Sequence, residues 1–413
     1  MSKLEELIQR YCPDGVEWHP FFDVCDLIRG ITYSKEQETK TQTGDAHKVL
    51  RANNITLHLN TLNFEDVKLV SRDVVVKPAQ HLFAGDILMC AGSGSKEHVG
   101  KVAFIPVDMD YTFGGFMAVV RCKKTILPRF VYHILTSGYF SNHLEVQINS
   151  STINNINKQV MQSFELPVPP LPVQEEIVRV LDTFTELQAE LQAELQKRLQ
   201  QYNYYRDNLL SFDGRTDVEW KRLGDICKKV CSGGTPSRGN GDYFKGNIPW
   251  LRTQEVDWSD IYDTEIKITE GAVKKSSAKL IPENCVIVAM YGATAGKAAI
   301  NKIPLTTNQA CCNLQIDSNK ALYKYVYYCV CNEYEQIKAL GQGSQNNINA
   351  QIVKDYLIPV PPLAEQQRIV DILDRFDSLT NDLTAGVPAE IEKRRQQYEF
   401  YRDKLLTIKR KEA

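Results

Sequence analysis

Two stretches of this chain say nearly the same thing. FELPVPPLPVQEEIVRVLDTF begins at Phe164, YLIPVPPLAEQQRIVDILDRF begins at Tyr356, 192 residues later, and 11 of the 21 positions are identical. A repeat constrains the fold more than composition does, because it means one structural plan is built twice. Three further pairs extend it. NNINKQV (Asn154–Val160) returns as NNINAQI (Asn346–Ile352), again at 192; KRLQQYNYYRDNLL returns as KRRQQYEFYRDKLL at 196; VEWHPFFDVC returns loosely as VEWKRLGDIC at 202. Each half therefore reads V-E-W, a variable stretch of about 140 residues, N-N-I-N, P-V-P-P, a long helical segment, and Q-Q-Y…Y-R-D. The mid-chain run YYRDNLLSFDGRTDVEW resembles the two chain ends joined, FYRDKLLTIKRKEA followed by LIQRYCPDGVEW, so the sequence reads as a circle cut once.

The helical reading rests on period. From Ile177 the apolar stripe Leu181, Phe184, Leu187, Leu191, Leu195, Leu199, Tyr202, Tyr205 and Leu209 takes nine steps over 32 residues, 3.6 per step. Prolines 167, 169, 170 and 172 precede it and Glu175–Glu176 favour a first turn, so a helix is expected from about Val173 to Ser211. The second copy is expected from about Ala364 to Thr407. LTAGVPAEIE interrupts it, with Gly386 and Pro388 as stop and restart signals. A long amphipathic helix cannot bury its stripe alone. Two such helices predict an α+β chain: two globular α/β domains joined by an antiparallel coiled coil with pseudo-two-fold, circular symmetry. The alternative is a local helical hairpin, or a stripe buried on its own domain. The expected parts are an N-terminal domain, 1–164; a central spacer helix region, 165–213; a C-terminal domain, 214–357; and a C-terminal spacer helix region, 358–413.

Bulk properties exclude several classes. No apolar run reaches the roughly 20 residues that span a bilayer, and residues 1–15 have no signal-peptide pattern, so no membrane association is expected. The 11 cysteines form no C-x-x-C pair, and all seven histidines precede residue 144, so no metal site and reduced thiols in a cytoplasmic protein are expected. With a net charge of −2, any DNA binding must use local patches or a partner's positive charge.

P-V-P-P-L-x-x-Q-x-x-I-V-x-x-L-D-x-F followed by Q-Q-Y-x-x-Y-R-D-x-L-L, twice and behind variable domains, resembles the specificity subunit of type I restriction-modification systems. SGGTPSRGNGDYFKGNIPWLRTQEV (Ser232–Val256) is similar to a stretch near the start of that family's recognition domains; the first domain matches it only loosely. The resemblance implies a non-catalytic DNA-reading subunit. Each domain would read one half of a split, asymmetric double-stranded DNA target, with the helices setting the gap. Two methyltransferase subunits, carrying S-adenosylmethionine, would dock on the helices. Two restriction (motor-nuclease) subunits, using ATP and Mg, would complete the assembly. This chain itself would bind no cofactor.

The residues agree with an absence of chemistry. The only P-P pairs are those of P-V-P-P-L, unlike the D/N-P-P-Y/F motif of an adenine methyltransferase. GATAGKAA at Gly292 has three residues between its glycines and Ala298 where a phosphate loop needs Ser or Thr. FGGF at Phe113 reads as a turn or strand end, and EIK at Glu265 lacks a partner acid. Candidate DNA contacts combine Arg, Lys, Asn, Gln, Ser and Thr on glycine-rich or turn segments. In the second domain these are Thr235, Ser237, Arg238, Asn240, Arg252, Thr253, Gln254, Tyr291, Thr294, Lys297, Ser344 and Gln345. In the first they are Arg29, Tyr33, Lys35, Arg51, Asn53, Asn54, Ser93, Ser95, Lys96, Lys101, Ser150 and Ser151. The N-N-I-N repeat, being shared, reads as an Asx turn. Tyr202, Tyr205, Arg206 and Asp207, with twins Tyr398, Tyr401, Arg402 and Asp403, fit intrachain packing and partner docking equally. An autonomous methyltransferase or nuclease and a coiled-coil protein adaptor are the competing readings.

Overall fold

The structure, a computed structural model, describes residues 3–39, 46–57, 60–148, 155–212, 214–341, 347–381 and 386–412. It divides into two compact units: Met1–Gln192 with Glu390–Ala413, and Ala193–Ala389. Each helical region is thus shared out between the units. The central helix, Leu171–Leu210, gives its first half to unit 1 and its second half to unit 2. It starts two residues earlier than its period suggested, because Pro172 falls in the first turn, where no N–H is needed. The C-terminal region forms two helices, Leu363–Thr380 and Val387–Leu406, with Pro388 second in the latter.

Both units use one sheet plan. In unit 1 an antiparallel sheet runs Cys25–Arg29, Met117–Cys122, Ile87–Cys90, Val102–Phe104. In unit 2 it runs Cys227–Ser232, Cys311–Ile316, Val286–Ala289, Ala298–Asn301, and gains the parallel edge strand Asp260–Ile261. The second sheet of unit 1 is Lys68–Ser71, Ala46–Leu50, Thr112–Phe113; that of unit 2 is Lys267–Ile268, Ile248–Leu251, Leu305–Thr307, plus Leu280–Ile281. In each the middle strand pairs one neighbour antiparallel and the other parallel. Strands such as Ile87–Cys90 and Val286–Ala289 are buried throughout, which is why they read as unbroken apolar runs.

The repeated motifs are where helices lock onto sheets. Gln174, fully buried, accepts from the Leu127 backbone N–H at 2.8 Å and donates to the Pro169 carbonyl at 2.7 Å. Gln366, equally buried, does the same with Leu322 at 2.9 Å and Pro361 at 2.8 Å. The carboxylates of the L-D-x-F motifs follow suit. Asp182 accepts from Arg129 Nε and His133 Nε2, both at 2.8 Å; Asp374 accepts from Lys324 at 2.5 Å and the Tyr328 hydroxyl at 2.6 Å. The N-N-I-N segments are helix caps. Asn157 and Asn349 accept backbone N–H groups at the starts of Lys158–Gln162 and Ala350–Asp355, and Ile156 and Ile348 are buried between. At the chain's end, Val16 N–H donates to Lys409 and Lys411 N–H to Val16, both at 2.9 Å, while Arg410 pairs with Glu165 at 2.7 Å.

Candidate nucleic-acid interface

In unit 2 the loops singled out from sequence meet at one place. The strand Ile248–Leu251 ends in Arg252, whose backbone N–H donates to the Glu255 carboxylate at 3.1 Å, making a tight turn over Thr253–Glu255. The Arg252 guanidinium pairs with Glu265. The hairpin loop after Ala289 then lies against this turn: Thr294 donates to the Thr253 carbonyl at 2.8 Å, and Lys297 pairs with Asp257 at 2.5 Å. Asn347 closes the cluster by accepting from Gly292 N–H at 3.3 Å. GATAGK is therefore a β-hairpin turn, and Glu265 is an anchor for arginine. Gln254 and Tyr291 are exposed on the cluster.

Unit 1 repeats the arrangement with other side chains. Arg51 follows the strand Ala46–Leu50, its N–H donates to Asn54 Oδ1 at 2.8 Å, and its guanidinium pairs with Asp66 at 2.7 Å. Exposed Asn53 joins the same carboxylate at 2.9 Å. Lys101 ends the hairpin loop as Lys297 does, donating to the Ile55 carbonyl at 2.7 Å. Both loops turn at a glycine with positive φ, Gly100 at 88° and Gly296 at 88°. In each unit an arginine Nε, of Arg51 and Arg252, is buried without a hydrogen bond, and Arg252 Nε lies 3.6 Å from the Glu255 carboxylate.

The structure also corrects part of the sequence reading. Asn54 is fully buried, with its amide committed to Arg51, Asn63 and Asp66, and holds the turn together. Arg29 points inward, donating to Asn155 Oδ1 at 3.0 Å and to the Ile156 carbonyl; burial pulls its guanidinium below its ordinary value. Gly233 and Gly234 are not flexible backbone: a Cβ on Gly233 would lie 1.9 Å from the Thr307 carbonyl oxygen. Thr235, just beyond, bonds Gln309. Ser237, Arg238, Asn240, Lys35, Ser95 and Lys96 are exposed, Tyr33 and Ser93 half-buried. Ser150, Ser151, Ser344 and Gln345 lie outside the described residues. Phe116, 76% exposed beside this cluster, was missed, because FGGF reads as nothing more than a turn.

The helix candidates divide between packing and exposure. Tyr398 and Arg402 are buried, and the Tyr398 hydroxyl bonds His133 Nδ1 at 3.0 Å. Tyr401 stacks on Phe184 at 5.4 Å, and its twin Tyr205 stacks on Phe376 at 5.3 Å, so L-D-x-F meets Y-R-D in both units. Half-buried Tyr202 packs near Phe376, Arg206 reaches Asn332 at 3.0 Å, and Asp403 accepts from Gly138 N–H at 3.2 Å. Asp207 is exposed, bonded to Arg206.

This doubled frame has known relatives. The type I restriction modification DNA specificity domain matches residues 13–201 and 216–393, so both halves are copies of it. The chain belongs to the type I restriction-modification specificity subunit family. It is 40% identical over 325 residues to the Escherichia coli EcoR124I/EcoR124II specificity subunit, covering 74% of this chain and 78% of that one. A putative type I specificity subunit of Haemophilus influenzae is 29% identical over 433 residues, 98% of each chain. Among solved structures, a chain described in work on complex assembly and conformational transition of the type I R-M system superposes with a TM-score of 0.61 at 17% identity, covering 95% of this chain and 98% of that one. The type I S subunit from M. genitalium gives 0.55 at 15%, covering 95% and 96%. As a specificity subunit, the chain carries DNA-recognition domains and is a non-catalytic member of a restriction-modification assembly. Among the described residues no helix is long and apolar enough to cross a membrane, and no group of three His, Cys, Asp or Glu could hold a metal ion. All eleven cysteines are free.

Proposed function

We propose that each unit reads one half of a bipartite, asymmetric DNA target through its loop cluster, and that the helices set the gap between the halves. The observation that supports this reading is the convergence, in both units, of the Arg turn, the hairpin loop and the N-N-I-N segment on one frame, dressed with different side chains. Arginine and lysine on such loops suit guanine O6/N7 or phosphate, and asparagine and glutamine suit adenine. Two methyltransferase subunits dock on the repeated helices, where Tyr204 and its twin Phe400 are 66% and 62% exposed; equal patches suit two copies of one partner. Two restriction subunits join for cleavage. S-adenosylmethionine belongs to the methyltransferase subunits, ATP and Mg to the restriction subunits, and none of them to this chain, which works in the cytoplasm. Genome-wide methylation mapping in cells with and without the chain tests this: a split motif should disappear with it. Methyl transfer by the purified chain alone, or an unsplit motif, would overturn the reading.

A further inference from the structure

The turn 113–117 is the hub on which the loops of unit 1 converge. Ile31 N–H donates to the Phe113 carbonyl at 2.8 Å and Gly30 N–H to Met117 at 3.2 Å, tying in the end of the first strand. Gly114 N–H donates to Leu50 at 3.0 Å, beside the Arg51 turn. Ala91 and Gly92, where the hairpin loop begins, both donate to the Phe116 carbonyl at 2.9 Å, and Gly92 bridges to Asn155. Three segments are thus fastened directly to one short turn and a fourth to it through Gly92, and the large side chain that projects from it is Phe116.

A lone exposed aromatic on an ordinary surface calls for no explanation. This one differs in two respects. Its backbone is held by hydrogen bonds on both sides, so the ring is presented from a rigid base, lying over Gly92, where an added Cβ would sit 3.3 Å from Phe116 Cδ1. The same hub exists in unit 2, where Asn308 N–H donates to Leu251 at 2.9 Å, Met290 N–H to Ala310 at 2.8 Å and Cys311 N–H to Asn308 at 3.3 Å. There the residue in the place of Phe116 is Ala310, 7% exposed. The frame does not need a phenyl ring at this position, and only unit 1 has one.

We propose that Phe116 is a specificity-determining residue of unit 1, making an apolar contact with the C5-methyl group of a thymine in the half-site that unit reads. This rests on the reading of the units as half-site readers. The major groove distinguishes thymine by that methyl group, and apolar side chains are what recognise it. The polar residues of the loops fastened to this turn, Asn53, Ser93 and the tethered Arg51, supply hydrogen bonds and charge but no methyl contact.

The test uses the full chain with its methyltransferase subunits and duplexes carrying the mapped target, each thymine replaced in turn by deoxyuridine, which lacks only the methyl group. Loss of one buried methyl contact lowers binding by about fourfold. The expected result is such a drop at one thymine of one half-site, absent in Phe116→Ala and partly kept in Phe116→Leu. An unchanged melting temperature shows that both variants fold, as the exposed ring allows. Three results overturn the proposal while leaving half-site reading intact: a half-site without thymine, indifference to deoxyuridine at every position, or full discrimination retained by Phe116→Ala. If the wild-type complex selects no split site at all, the underlying reading fails with it.

Discussion

Replacing Gln174 with alanine tests whether the repeated motif is a clamp. The side chain is fully buried and its two short bonds, to Leu127 N–H at 2.8 Å and Pro169 C=O at 2.7 Å, join the helix start to the loop before the helix Pro128–Leu135. Alanine can make neither bond. Each buried group left without a partner costs about 1–3 kcal/mol, so the variant should lose about 2–6 kcal/mol, whereas a simple exposed glutamine would cost under about 0.5 kcal/mol. At ~2–4 °C per kcal/mol for units of this size, a loss near the middle of that range lowers the melting temperature of unit 1 by about 8–16 °C. Gln366→Ala should do the same to unit 2, where Leu322 and Pro361 are the orphans. The two residues share no partner, so the double variant should be additive to within about 0.5 kcal/mol. Denaturant and thermal unfolding, followed by near-UV circular dichroism, measure this. A loss below about 1 kcal/mol in both single variants would refute the clamp.

Acid should loosen unit 1 before unit 2. Burial holds the His133 imidazole below its usual value, with the Asp182 hydrogen bond opposing, so the unfolded chain takes a proton that the folded unit refuses. That stability is complete above pH ~6.5 and declines as pH falls through this value towards the lower folded one. Tyr328, at the same place in unit 2, has its phenol pushed up by burial and does not titrate there. His133→Gln should flatten the dependence of unit 1 between about pH 5 and 7, and an unchanged slope in thermal melts would defeat this account. Inserting one more E-L-Q-A after Ala193, in the run Glu186–Gln196, adds ~6 Å of helix, close to two base-pair steps of DNA at ~3.4 Å each. Methylation mapping should find a longer gap between unchanged half-sites; a constant gap would show that the helix does not measure it. Gly233→Ala should destabilise unit 2 by more than about 2 kcal/mol, since its Cβ would strike the Thr307 carbonyl, whereas Gly241→Ala, with open space around it, should be close to neutral in the same melts.

Much of the frame was legible because it is local. The 3.6 period of the leucine stripe, the proline run before it and the Gly386–Pro388 interruption mark helices whose outer ends, Leu171, Leu210, Leu363 and Leu406, differ by a residue or two from those expected, whereas the inner end Thr380 lies six residues before the stop signal Gly386. The N-N-I-N repeats read as Asx turns, and Asn157 and Asn349 do accept local backbone N–H groups, as caps of short helices that the sequence reading did not include. The two L-R dipeptides, Leu50–Arg51 and Leu251–Arg252, picked out equivalent turns although little around them matches. The individual DNA candidates were less legible. Asn53 and Asn54 are neighbours of one type, yet one is exposed and the other is fully buried.

By itself, the sequence determined that one plan is built twice, that its shared parts are helices and Asx turns, and that its variable parts carry polar loops. These are properties of residues within a few turns of one another, set by backbone preference and periodicity. Only the tertiary structure decided which loops meet, why the repeated glutamines and aspartates are shared, and that Phe116 stands at a hub where its twin is Ala310. Those outcomes depend on contacts such as Gln174 with Leu127 and Arg29 with Asn155, between residues 47 and 126 positions apart. No local preference encodes such a pairing; it exists once the sheets have closed and the remaining buried donors must find acceptors.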